Sequence, residues 1–598
     1  MDRGPEPSAR DLRVNNEPCA PVMPYGHRKP ASEWTYGITG AYGECRDSEQ
    51  QSCELSAWLM AAIGSLLPND LRENRKQQME QNHKHLPLGD AVRNLARESC
   101  PMHMPGHKRA VLRSAQGRDF RELDITEIRG ADDLHRASGI LREAMDRTAA
   151  LYGADRTWFL VNGSTVGILA AVHAAVPRGG EIIAARNCHK SVVHAVGLRG
   201  LTVHWVMPEE AQEGGICGPV PPDSVSRLLE DFPDSRAVII TSPTYEGVIS
   251  DVREIADGCR RAGKILIVDE AHGAHLGLDK SGFFPDGAVH CGADIVVQSA
   301  HKLSFGLTQT AYLHMNRRSP VSEEAIEAAL DIYETSSPSY PLMISMDEAA
   351  EEFTLRGDMI FARWRLGIEN FRRALGEPAL LRLLGEPEIG YLQDPSKLVI
   401  NTSDAGISAP ELAGILRKEY GFETEMACGN ILVAMTGPGG DPEDLRRFGQ
   451  VLHEIDLDLS GRSCDIEAAA PVSPVPSRGE NSGRARLLPP PGEAVCTIAA
   501  ALEHPFREVR MEEAEGGVLA EYLWAYPPGI PLGVPGERVT PELVTAVRVL
   551  EASGTEVLRT GNIDKSGTGC VLLLCCGQGS LPAGSTSPSG QNPSAGIA

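Results

Sequence analysis

Between residues 157 and 299, six short runs are largely apolar: TWFLV (157–161), EIIAA (181–185), LTVHWV (201–206), AVIITS (237–242), KILIVD (264–269) and DIVVQS (294–299). A strand with one wet face alternates apolar and polar positions. Several of these runs do not alternate, so both their faces are covered, as in parallel sheets crossed by helices. Helix-period segments separate the runs, which predicts an α/β fold with a doubly wound, mostly parallel sheet. In such a sheet ligands sit beyond the carboxyl ends of the strands. Those ends read Asn162-Gly163-Ser164-Thr165, Arg186-Asn187-Cys188-His189-Lys190, Ser242-Pro243-Thr244-Tyr245-Glu246, Asp269-Glu270-Ala271-His272 and Ser299-Ala300-His301-Lys302. Groups capable of chemistry therefore cluster where this architecture places a site.

The same patterning divides the rest of the chain. Residues 85–395 form the major domain. A smaller α/β unit is expected over 396–460, where KLVINT and NILVAMT read as strands and APELAGILRKEYG and DPEDLRRFGQVLHEI as helices. Residues 461–492 are rich in Pro and Gly and read as a linker. A short carboxyl-terminal domain over 493–560 carries AYPPGIPLGVPGE, and 561–598 has the composition of a disordered tail. The first 84 residues are polar and rich in Pro and Gly, with one helical stretch around Ala57 to Leu67. They read as an extension that is poorly ordered or partly helical.

Composition narrows the function. The 598 residues carry 57 Lys+Arg against 81 Asp+Glu, a net charge of −24. Such a surface repels phosphate backbones and anionic membranes, which argues against nucleic-acid and membrane partners. The 14 cysteines include no CxxC pair, as expected of reduced thiols in a cytoplasmic protein. The amino-terminal stretch has no apolar signal-like region, and the apolar run CVLLLCC (570–576) is too short to span a bilayer.

The run KILIVDEAHGAH (264–275) admits three chemistries. A DEAH-type helicase needs a phosphate loop of the form GxxxxGK[ST], and the chain has none. A metal site on His272 and His275 lacks the further spaced ligands that zinc requires, so no metal is expected. The third reading places Asp269 against a cationic cofactor. Ser164 and Thr165 open a helix after a strand, a place where N–H groups and hydroxyls cradle phosphate. Lys302 follows the next strand after Asp269, with Ser299 and His301 beside it. A lysine for an aldehyde, an aspartate for a pyridine nitrogen and a phosphate cup are the three demands of pyridoxal phosphate.

Together with MPGHKRA, NGSTVG, RNCHKSV, SPTYEGVISD, VDEAHGAHLG, QSAHKLSFGLTQTAYLH, SSPSYPLMISMDEA and AYPPGIPLGVPGERVT, in that order over about residues 85–540, these features resemble the Orn/Lys/Arg decarboxylase family. These are fold type I pyridoxal-phosphate enzymes of the aspartate-aminotransferase-like superfamily, and the likeness is to the shorter form without the amino-terminal wing. After the His-Lys pair this chain has Leu303-Ser304-Phe305-Gly306, where the family usually has Thr-Leu or Leu-Leu. The resemblance implies decarboxylation of arginine, lysine or ornithine to agmatine or a diamine, with transamination or aldol cleavage as alternatives for the same kit. It implies that Lys302 holds the cofactor aldehyde, that His189 stacks on the ring, and that His272 flanks it. Ser164, Thr165, Ser299 and His301 are then the phosphate ligands, and Thr244 a candidate for the ring oxygen. The substrate's distal cation calls for a carboxylate, with Glu246, Glu425, Glu521 and Glu537 as candidates. A homodimer is implied, with LTQTAYLH (307–314) and ETSSPSYPLM (334–343), Thr308, Ser337 and Tyr340 among them, as strips that reach the partner's site.

Overall fold

The computed structural model describes residues 99–109, 123–212, 215–466, 488–526, 529–552, 555–559 and 570–575. The amino-terminal extension, the helical stretch expected around 57–67 and most of the 461–492 linker lie outside them. The first strand, β1 (Cys100–Met102), belongs with the small domain and is taken up below. The major domain is built on a seven-stranded sheet of β2 (Arg156–Leu160), β3 (Glu181–Ala185), β4 (Thr202–Val206), β5 (Ser235–Thr241), β6 (Ile265–Asp269), β7 (Ile295–Gln298) and β8 (Ala311–Met315). The spatial order is β2-β8-β7-β6-β5-β3-β4. All six expected runs form strands. Successive residues pack on opposite faces: Ile182, Ala184, Ile239 and Ile267 join one buried cluster, and Ile183, Ala185, Val238, Ile240 and Leu266 join another. Each face is sealed by helices, Gly163–Ala175 and Lys190–Arg199 on one side, Pro222–Asp231 and Val252–Arg261 on the other.

The strands from β7 to β4 run parallel, whereas β8 is antiparallel to both of its neighbours, β2 and β7. β8 corrects one expectation. AYLH lies inside the sheet with every residue of the strand buried, so of the 307–314 strip only Thr308 and Gln309 are exposed, and the Gln309 amide already donates to the Val161 carbonyl. An aromatic and aliphatic segment whose backbone is bonded on both edges cannot also serve a surface. The second strip divides in the same way. Ser337 is exposed, whereas Tyr340 is 3% exposed in the core and its hydroxyl donates to the Asp132 carbonyl at 2.7 Å.

The 36-residue helix Tyr340–Leu375 leads into a second sheet of β9 (Arg382–Leu384), β10 (Lys397–Asn401), β12 (Met426–Cys428) and β13 (Ile431–Met435), with β11 (Phe422–Thr424) beside it. β1 pairs in parallel with β11, so the segment preceding the PGHK motif is tied to this small domain. The helix starting at Pro442 runs to Ile466, past the point where the linker was expected to begin, and Leu488 is already buried again. The carboxyl-terminal domain holds β14 (Phe506–Arg510), β15 (Leu523–Tyr526), β16 (Ile530–Gly533) and β17 (Glu556–Arg559). It also contains β18 (Cys570–Leu574), antiparallel to β14. The expectation of a tail from 561 is therefore wrong for 570–575. The apolar run there fills the domain core with Val571 and Leu573, at 0% and 3% exposure.

Candidate active site

The ends of β2, β3, β5, β6 and β7 open on one edge of the sheet, and the predicted residues meet there. Asp269 is the last residue of β6, 3% exposed, with one oxygen accepting from the Ala271 N–H at 3.2 Å. Beyond β7 the chain makes a single helical turn, Ala300–Leu303, which presents Lys302. The Lys302 Nζ lies 2.8 Å from His272 Nε2. His189 follows β3 as the cap of the helix Lys190–Arg199, its Nδ1 2.9 Å from Ser191 Oγ.

The electrostatics are those of a largely desolvated site, with Asp269 and His272 buried and Lys302, His189 and His301 half-buried. Burial lowers Lys302 to about 8, against the opposing pull of Asp269 and Glu425, with Lys397 adding to the depression. Burial raises the Asp269 carboxyl, an effect the Lys302 charge opposes. His272 is held well below its usual range by burial, then by Lys302 and Lys397. Burial and Lys302 take His189 down to about 3, and His301 falls to about 4, mainly through burial. The three imidazoles are therefore neutral near pH 7, beside an amine that is still mostly protonated there.

The groups expected to hold phosphate are partly brought together. Ser299 Oγ donates to Ser164 Oγ at 3.0 Å, joining the turn after β7 to the helix Gly163–Ala175. That helix begins at Gly163 with φ +78°, a conformation glycine reaches without strain. Thr165 is exposed two positions further on. His301 Nδ1 is 2.8 Å from the Thr310 carbonyl, which fixes its ring. Thr244 does not join the group. Its hydroxyl accepts from the Val248 N–H at 3.1 Å and holds its own turn.

The residues present fit pyridoxal phosphate. Three buried polar atoms, Asn187 Oδ1, Thr241 Oγ1 and His272 Nδ1, have no partner among the described residues, and they belong to residues at or just beyond the ends of β3, β5 and β6. Buried polar groups are normally paired, and a heterocycle with polar substituents would supply partners there.

Of the four carboxylates considered for a distal cation, two are committed elsewhere. Glu537 takes both arms of the fully buried Arg186 at 2.7 and 2.8 Å. Glu521 accepts from the Leu572 N–H within the carboxyl-terminal domain. Glu246 is 5% exposed and its carboxyl is raised by burial. Glu425 is half-buried, with one oxygen accepting from the Met104 N–H at 2.8 Å and the other from the Tyr245 hydroxyl at 2.7 Å. The Tyr245 ring in turn packs edge-on against His272, 4.9 Å between centroids.

Sequence reasoning left the PGHK loop without a role. Gly106 bonds through its N–H to the His301 carbonyl, and a Cβ there would lie 2.7 Å from the carbonyl oxygens of both Lys302 and Ser304. Lys108 donates to the carbonyls of His103 and Met435. The loop thus lies between the backbone of the lysine turn and the small domain. Its glycine, tightly placed beside a proline, was the available signal. In the Leu303-Ser304-Phe305 departure, Leu303 and Phe305 fill a core cluster, while Ser304 Oγ is buried without a partner among the described residues.

The model of the Orn/Lys/Arg decarboxylase major domain matches residues 87–375, and that of the family's C-terminal domain matches 491–557. The chain is 33% identical to the Bacillus subtilis protein YaaO over 78% of its own length and 94% of that protein's. It is 30% identical to Bacillus subtilis arginine decarboxylase over 76% and 91% of the respective lengths. The chain belongs to the Orn/Lys/Arg decarboxylase family. As a decarboxylase of that family it is also similar to the constitutive lysine decarboxylase of Escherichia coli, at 25% identity over 68% of this chain and 67% of the relative. Its fold superposes on lysine decarboxylase A from Pseudomonas aeruginosa with a TM-score of 0.62, at 19% identity and 82% coverage of both chains.

Proposed function

We propose that this decarboxylase converts arginine to agmatine and CO₂ with pyridoxal phosphate held at Lys302, working as a cytoplasmic homodimer. The observation that carries the reading is the Lys302 Nζ, 2.8 Å from a neutral His272 and one strand away from the buried Asp269. Arginine is favoured among the basic amino acids because relatives named arginine decarboxylase align over 91% of their length, against 67% for the constitutive lysine decarboxylase.

Lys302 would hold the aldehyde, Asp269 the ring nitrogen, His189 one ring face, and Ser164, Thr165, Ser299 and His301 the phosphate. Bound there, pyridoxal phosphate supplies an electron sink for the pair left at Cα when CO₂ departs. The chain does the rest. Asp269, kept from water, favours a cationic partner beside it, as its attraction for the Lys302 charge illustrates. Burial of Asp269 and His272 lets these fixed groups act at lower dielectric than in water. The Cα proton then comes from a group whose pKa lies near the working pH. Lys302, at about 8, meets that condition, and His189, at about 3, does not. His272 Nε2 keeps the Lys302 amine oriented and takes its hydrogen bond. Glu425 is assigned to the guanidinium. It is ordered by two neutral donors and keeps lone pairs free for a bidentate cation.

Nine described cysteines form no disulfide, consistent with a reducing compartment, and no described helix is long and apolar enough to cross a membrane. A second copy is favoured by the exposed polar residues around the phosphate end, Asn162, Thr165, Thr308, Gln309 and Ser337. The decisive experiment offers purified protein arginine, lysine and ornithine in turn and measures agmatine, cadaverine and putrescine. Agmatine alone, abolished by Lys302→Ala, is the expected result; turnover that survives Lys302→Ala overturns the assignment. Glu425→Gln should raise KM for arginine more than it lowers kcat. For the dimer, mixing Lys302→Ala chains with an inactive Thr308 or Ser337 variant should restore activity if sites are shared.

A further inference from the structure

The second histidine of VDEAHGAH has its own partners. His275 is wholly buried between the rings of Phe284 and Trp364, with centroids 5.1 and 5.0 Å away. Its Nε2 lies 3.1 Å from Asp394 Oδ1. The other oxygen of Asp394 accepts from Ser396 Oγ at 2.6 Å and from Lys397 Nζ at 3.0 Å. Lys397, 2% exposed, also donates to the carbonyl oxygen of His272 at 3.4 Å. One buried carboxylate therefore fastens the loop after β6 to the first residue of β10, in the small domain. His272 is held at both ends, through its carbonyl by Lys397 and through its Nε2 by Lys302. The turn beneath is equally close: Asp394 N–H donates to the Gly247 carbonyl, and a Cβ on Gly247 would lie 2.8 Å from Lys397 Cγ.

A buried ion pair is a poor source of stability, since desolvation offsets most of its attraction and apolar replacements often do as well. Its contribution here is geometric. We propose that His275, Asp394 and Lys397 form a clamp that sets His272 against Lys302, so that Asp394 and Lys397 are positioning residues for the reaction. The inference rests on the decarboxylase reading above.

The test compares Lys397→Met, which keeps the side-chain length and removes the donor, with Asp456→Asn. Asp456 is a buried carboxylate of the small domain that accepts from the N–H groups of Ala379, Leu380 and Leu381, so it serves as the purely structural control. Tm, kcat, KM and the pH titration of the bound cofactor's visible absorption are read on each holoenzyme. Lys397→Met should lower kcat by about tenfold or more and shift the absorption midpoint by about half a pH unit or more, with Lys397→Arg recovering part of both. Asp456→Asn should lower Tm and leave kcat and midpoint in place. If Lys397→Met changes Tm alone, with kcat within about twofold of the parent and the midpoint unmoved, the clamp is only structural and the proposal fails. Should Lys397→Met not fold, His275→Gln, which keeps an N–H toward Asp394, is set against His275→Leu: equal kcat and midpoint in those two overturn the proposal, and a loss confined to Leu supports it. A parent protein with no turnover would count against the decarboxylase reading, while the absorption midpoint would still report on the clamp.

Discussion

Replacing Glu537 by Ala tests how the carboxyl-terminal domain is joined to the sheet. Arg186, at the end of β3, has no exposed surface, and Glu537 is 4% exposed. The substitution removes two guanidinium bonds at 2.7 and 2.8 Å, the acceptor of Trp205 Nε1 at 2.9 Å and that of the Val534 N–H at 3.2 Å. Breaking a buried pair from one side leaves an uncompensated charge and costs about 3–5 kcal/mol. Arg186 would keep the Leu532 carbonyl at 3.0 Å and the Trp205 ring face at 4.7 Å, which places the cost near the lower figure, about 3 kcal/mol. The comparison is Glu493→Ala, which breaks the pair with Arg538, whose side chains are 42% exposed on Arg538 and 69% on Glu493. Exposed pairs contribute less than about 1 kcal/mol. Several domains rule out a single unfolding free energy, so the assay is native-state proteolysis, which follows the population of locally opened chains. At 1.4 kcal/mol per decade, Glu537→Ala should speed cleavage within the carboxyl-terminal domain by about 100-fold, and Glu493→Ala by less than about fivefold. Equal rates for the two variants would refute the reasoning that burial makes the first pair matter.

Four further outcomes follow from the site and the late strand. Asp269→Asn should retain cofactor and lose about 100-fold or more in kcat, and a kcat within about threefold of the parent would make Asp269 merely structural. Because burial lowers Lys302 from 10.5 to about 8, its neutral amine becomes available as pH passes 8. Capture of added pyridoxal phosphate by the apoprotein should therefore accelerate with a midpoint near 8, and a midpoint above 10 contradicts the buried setting. Gly106→Ala pushes a methyl group against the carbonyls of Lys302 and Ser304 from 2.7 Å, so kcat should fall by about tenfold or more, whereas full activity would mean that the loop gives way freely. Leu573→Ala should destabilise the carboxyl-terminal domain by about 2–5 kcal/mol, seen as faster cleavage there, and no change would remove β18 from its core.

The pattern along the chain was enough to locate β2 to β7, because strands covered on both faces read as short apolar runs and the edge strand β4 still carries enough apolar residues to stand out. It also placed Asp269, Lys302, His189 and Ser299 at one edge, since parallel strands bring their carboxyl ends together whatever the helices between them contain. β8 was not legible as a strand, because AYLH follows a polar turn and its two antiparallel partners, β2 and β7, are set by tertiary pairing. β18 was hidden for a related reason: a five-residue apolar run has no partner until β14 folds beside it. Thr244 and Tyr340 had chemically suitable side chains, and only packing shows that both are engaged within their own chain. The same holds for Glu537 and Glu425. A carboxylate is the same letter in either place, and what separates them is the company each keeps, Arg186 for one and Tyr245 with Met104 for the other, from residues 180 to 351 positions away in the chain. The sequence by itself determined which groups stand at the ends of the strands, because that depends on local periodicity. Only the tertiary structure decided which of them remain free to act, because hydrogen bonds and burial between distant segments have no local signature.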